Sequence, residues 1–111
     1  VGLNINQNKF QTASATSLSL VTGEQYSINE ELSLLISCVE SRYLQLRGGH
    51  YELLMNEYLG GLFRRHEKHL FSSNGLVFEG VIEDLDEVGR LRILVGDEVR
   101  SFGVKEVVYV G

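Results

Sequence analysis

The chain of 111 residues has no proline, a single cysteine and a single methionine. Without proline, element boundaries must be read from glycine, capping residues and periodicity. Cys38 stands alone, which excludes an intramolecular disulfide and makes a reducing, cytoplasmic setting the expectation. No apolar run approaches the roughly 18 residues of a membrane span, and no secretory signal is visible. Positive charge is scarce, with 10 Lys and Arg against 15 Asp and Glu and a net charge of −5. That balance argues against a nucleic-acid-binding face over the chain as a whole, so DNA is not supported as a partner. A Walker loop, a G-x-G-x-x-G stretch and a G-x-S-x-G elbow are all missing. An initiator methionine is missing too, and the first residues read as the middle of a strand; a fragment is the expectation.

What is present is ordinary in bulk and informative in detail. An apolar fraction of 43% and a charged fraction of 23% fit one globular domain or two very small ones. VGLNIN alternates, Val1, Leu3 and Ile5 against Gly2, Asn4 and Asn6. This suits a strand lining a polar cavity, or equally a half-exposed strand whose amides meet water. Residues 7–15 are polar apart from Phe10 and the small alanines, and read as a loop. A short helix through ATSLSLV should stop at Gly23. Ser27 and Glu30 have capping-box spacing, and Leu32, Leu35, Ile36, Val39, Tyr43 and Leu46 follow on one helical face up to Gly48-Gly49. A second amphipathic helix from Tyr51 to about Leu62 would fold back as an antiparallel hairpin.

Beyond residue 70 the punctuation is that of β-hairpins. Asn74-Gly75 is a tight-turn pair, LVFEGVIEDL a strand with Gly80 at a bend or bulge, and RLRILV, EVRSF and KEVVYV complete about five short strands. Five such strands can curl into a small barrel. His66 and His69 lack the spacing and further ligands of a zinc site, so residues 66–69 read as a solvated connector and no metal site is expected. Cys38 beside the apolar stripe reads as a buried or half-buried structural thiol. Glu83, Asp84, Asp86 and Glu87 read as a solvated acidic run. No complete set of catalytic residues emerges.

VGLNIN, the loop carrying Phe10 and Ala15-Thr16-Ser17-Leu18 together resemble the second half of a biotin–protein ligase catalytic domain. LVFEGVIEDLDEVGRLRIL and FGVKEVVYV resemble that family's C-terminal barrel, so the likeness covers essentially the whole chain. The resemblance implies an α+β fold: the C-terminal part of a class II synthetase-like (biotin/lipoate ligase) catalytic domain over 1–66, then a small SH3-like β-barrel over 67–111. It implies an enzyme that activates biotin with ATP and Mg²⁺ to biotinyl-5′-adenylate and passes biotin to a lysine on the carrier domain of a carboxylase. It places Asn4 near the nucleotide phosphates and Mg²⁺, the loop from Asn6 through Phe10 to Ala15 around the adenine, and Lys105 as a phosphate or nucleotide contact. Where some members end the last strand on a basic residue, this chain has Val110. The family's biotin loop and its K-W-P-N-D segment with the catalytic lysine do not occur here, which implies that these residues alone are inactive. A helical-hairpin and SH3-like interaction module, or part of a lipoate–protein ligase, are the competing readings.

Overall fold

A computed structural model describes residues 2–111 and divides the chain into two compact units, Val1–Tyr51 and Glu52–Gly111. In the first unit, α1 (Leu18–Thr22) is opened by Ser17, whose Oγ accepts the Leu20 N–H, and is closed by Gly23 at φ 77°. That left-handed conformation is nearly free of strain only for glycine. Helix α2 (Ile28–Arg47) opens on Ser27, whose side chain accepts the Glu30 N–H, with Glu30 and Glu31 in the first turn and Arg47 in the last. Both charge placements complement the helix dipole.

No residue of α2 is buried, and the whole stripe from Leu32 to Leu46 is exposed. Cys38 is exposed with it, which corrects the expectation of a buried thiol. The stripe has the helical spacing of a packed face, but nothing in the first unit covers it.

Residues 2–6 form no strand, contrary to the alternation of VGLNIN. An alternating sequence favours extended backbone, but a ladder also needs a neighbouring strand. Here the Asn4 and Ile5 carbonyls instead accept the N–H groups of Leu18 and Ser19, at 3.0 and 2.9 Å.

The second unit holds α3 (Tyr51–Gly60) and five strands: β1 (Lys68–Ser73), β2 (Leu76–Leu85), β3 (Leu91–Val95), β4 (Glu98–Phe102) and β5 (Val108–Val110). They form one antiparallel sheet in the order β4-β3-β2-β1-β5, open between its edge strands β4 and β5. Asn74 (φ 51°) and Gly75 (φ 77°) make the tight turn between β1 and β2. Phe71, Ile82 and Ile93 are fully buried and are ringed by Leu62, Phe78, Leu91, Val95, Phe102 and Val107. A row of aromatic rings runs through this core, with Phe102, Phe78, Phe71 and Tyr109 successively 5.7, 5.9 and 5.4 Å apart.

Gly80 lies in regular register opposite His69, so it marks no bulge; the register shift comes later, between Ile82 and Asp84. The reason for glycine is closeness: a Cβ there would stand 2.5 Å from Ile93 Cγ2 and 3.2 Å from the Leu94 carbonyl. The closing strand is also shorter than KEVVYV. Glu106 accepts the Gly103 N–H on its carboxylate at 2.8 Å, and Lys105 takes φ 65°, so a turn occupies the residues before Val107. Among the described residues no helix is long and apolar enough to cross a membrane.

Candidate functional site

The stretch from Asn4 to Tyr26 gathers four of the five residues singled out in the sequence. Residues 4 and 5 are strapped to the start of α1 by the two backbone hydrogen bonds to Leu18 and Ser19. The Leu20 N–H goes to Ser17 Oγ at 3.2 Å, and the Val21 N–H to the Ser17 carbonyl. The leading amides of α1 are therefore all spent within the chain. Recognition of an anion here falls to side chains.

Asn4 is exposed, and its Nδ2 donates to the Thr16 carbonyl at 3.3 Å. Its Oδ1 takes no hydrogen bond among the described residues. A carboxamide tethered by its donor end and open at its acceptor end can bind an amine or a metal-bound water without adding negative charge. Asn6 is used differently. Its Nδ2 donates to the Tyr26 carbonyl at 2.8 Å, and its Oδ1 accepts the Tyr26 N–H at 2.9 Å.

Between them runs the loop. Gln7 Nε2 donates to the Lys9 carbonyl at 2.7 Å, the Ala15 N–H donates to the Thr12 carbonyl, and Phe10 and Ala15 are half-buried. At its far end, Gln25 Nε2 donates to Ser19 Oγ and the Tyr26 hydroxyl to Thr22 Oγ1. Lys105 belongs to the second unit, on the exposed turn before β5.

Several polar residues are engaged in ways the sequence reading did not expect. The acidic run is not merely solvated: Asp84 pairs with Arg92 at 3.4 Å and Asp86 with Arg90 Nε at 2.7 Å. Asp86 organises the β2–β3 turn, its Oδ1 accepting the Val88 and Arg90 N–H groups at 3.0 and 2.8 Å. Partial desolvation would raise its pKa, but hydrogen bonds from Arg90 and Val88, with the Arg90 charge, outweigh it and hold the carboxyl below its ordinary value. The D-x-x-G-R spacing was the available signal.

Arg65 donates to the Glu83 and Leu59 carbonyls at 2.7 and 3.3 Å. The Arg64 guanidinium lies over the Phe63 and Tyr109 rings, 4.8 and 5.4 Å from their centroids. These two arginines are structural; no spacing in the sequence marks them. His69 Nε2 and Glu67 Oε2 stand 3.0 Å apart, and no metal-binding cluster of His, Cys, Asp and Glu occurs among the described residues.

No protein-family model and no curated protein matches the chain. Solved structures do. The apo biotin protein ligase of Aquifex aeolicus superposes with a TM-score of 0.75 at 17% identity, covering 96% of this chain and 49% of that one. The same enzyme in complex with biotin and ATP gives 0.76 at 17% identity, covering 96% and 47%. At that identity the likeness is one of fold: mixed helix and sheet, matching the C-terminal part of the ligase. The chain spans about half the length of these neighbours.

Proposed function

We propose that this chain is the C-terminal half of a biotin–protein ligase, an enzyme that joins biotin to AMP from ATP and passes it to a carrier lysine of a biotin-dependent carboxylase. The observation that carries the reading is the fold likeness over 96% of the chain to ligase structures, one of them in complex with biotin and ATP. Fragment status is supported by α2, a 20-residue helix with a full apolar stripe and no buried residue. A stripe of this kind is the face another layer of the same domain would cover. We assign residues 1–66 to the catalytic domain and 67–111 to an SH3-like barrel, in which the free edges of β4 and β5 would approach each other.

In this reading Asn4 is the nucleotide contact. Its open Oδ1 would accept from a water on the Mg²⁺ that accompanies ATP, and the metal would supply charge neutralisation at the phosphates. Phe10, Ala15 and the loop between them would close over the adenine and keep water from the mixed anhydride. Lys105 would offer a cation to the nucleotide. Asn6 would serve the site through the loop that it begins.

The test is a titration of the chain with Mg-ATP followed by NMR. Shifts should concentrate at Asn4 and residues 7–15, and Asn4→Ala should weaken binding about ten- to a hundred-fold, the worth of one hydrogen bond to a charged group. The chain alone should release no pyrophosphate from biotin and ATP. Equal ATP affinity in Asn4→Ala and the unaltered chain would overturn the assignment. The exposed α2 stripe also favours a second reading, a protein-interaction module, for which ATP would leave the spectrum unchanged.

A further inference from the structure

Asn6 and Tyr26 are 20 positions apart, and one side-chain amide joins them through both of its polar atoms. The Asn6 carboxamide presents an N–H and a C=O to the Tyr26 backbone just as a neighbouring strand would. The excursion from Gln7 to Gln25, containing Phe10, Ala15 and α1, is thereby closed at its base. A second tie crosses the first, where Asn4 and Ile5, just before the excursion, hold Leu18 and Ser19 within it through backbone alone. The Asn6 tie therefore depends on one side chain, and the other tie on none.

We infer that Asn6 is a positioning residue and not a ligand contact: it anchors the start of the nucleotide loop by pairing with the Tyr26 backbone. The inference rests on the ATP-site reading above. Its chemistry is restrictive. Alanine loses both hydrogen bonds, whereas aspartate at neutral pH keeps the acceptor for the Tyr26 N–H but has no donor for the Tyr26 carbonyl. Freed from Tyr26, the start of the loop regains conformational freedom, and its ligand must then restore the anchor at a cost in affinity.

The experiment compares the unaltered chain with Asn6→Ala, Asn6→Asp and Asn4→Ala at neutral pH. Amide exchange at Tyr26 reports the tie, and a Mg-ATP titration reports the site. Trypsin supplies a third readout, because Lys9 is the sole Lys or Arg before Arg42 and cleavage after it samples this loop. Asn6→Ala should speed Tyr26 exchange and raise the Kd for ATP, each about ten-fold, the equivalent of one net hydrogen bond. It should also raise, by the same factor, the ATP concentration needed to protect Lys9. Asn6→Asp should fall between it and the unaltered chain. Asn4→Ala should weaken ATP while leaving Tyr26 exchange as it was.

Unchanged Tyr26 exchange in Asn6→Ala overturns the inference. So does faster exchange with ATP affinity and Lys9 protection intact, which would make the tie structural only while the nucleotide site stands. An unaltered chain that ignores ATP overturns the nucleotide reading and the positioning role together.

Discussion

Gly80→Ala adds one methyl group at the tightest place in the sheet. The new Cβ would stand 2.5 Å from Ile93 Cγ2, 3.2 Å from the Leu94 carbonyl and 3.6 Å from Phe71 Cδ2. Ile93 and Phe71 are themselves fully buried, so neither can swing outward to make room. Gly80 does not hold a positive φ, so backbone strain does not contribute. Overpacking of this kind costs about 1–3 kcal/mol, and each kcal/mol lowers Tm by about 4–8 °C in a domain of 60–100 residues. A fall of roughly 10 °C is expected by circular dichroism.

The compensating change is Ile93→Leu, which removes the Cγ2 methyl while keeping side-chain volume. Alone it should cost under about 1.5 kcal/mol. Combined with Gly80→Ala it should recover much of the loss, giving a favourable coupling energy in a double-mutant cycle. A Tm for Gly80→Ala within 2 °C of the unaltered chain, about 0.5 kcal/mol or less by the same scaling, would refute the close-packing account. So would a double variant no better than the sum of its parts.

Other outcomes follow from the turn and the helix cap. Asp86 has its pKa lowered in the folded chain, so its contribution is complete above its ordinary value of 3.8 and is lost as pH falls through the lower folded value. Tm should therefore fall below that pH, and Asp86→Asn should flatten that part of the profile; an unchanged slope would count against the turn's role. Ser27→Ala removes the side-chain acceptor for the Glu30 N–H, which lies 3.4 Å away. With so long a bond the loss should sit at the low end of the cap range, about 0.5 kcal/mol, seen as a small decrease in helical ellipticity.

Features set by neighbouring residues were legible in the sequence. Ser27 with Glu30, Gly23 after α1 and Asn74-Gly75 between β1 and β2 each act within a few positions, and each stands where its chemistry put it. Features set by distant partners were not. Alternation in VGLNIN could not reveal that Leu18 and Ser19, rather than a strand, would satisfy the carbonyls of residues 4 and 5. Gly80 looked like a bend because its actual reason, the Ile93 methyl, lies on another strand. The turn at Gly103–Glu106 depends on a carboxylate folding back onto a backbone N–H, and nothing in KEVVYV announces it. In the candidate site the two asparagines were legible as a pair of polar residues, but their division of labour was not. Asn4 keeps an open acceptor, whereas Asn6 spends both atoms on Tyr26.

The strand order β4-β3-β2-β1-β5 also orders the assembly of the second unit in time. Strands β1 to β4 pair in sequence order across short turns, whereas β5 returns to pair with β1 and sets Val110 opposite Leu70. Neighbouring hairpins close in about 1–10 μs, and pairings between distant positions carry the larger closure entropy. The meander can thus be complete once Phe102 is available, with Ile82 and Ile93 already facing each other across β2 and β3. Only then does the Tyr109 ring reach Phe71, and only after that can the Arg64 guanidinium settle over it and reach the Gly111 carbonyl. The pairing of β5 with β1 is thus the costliest closure in the sheet.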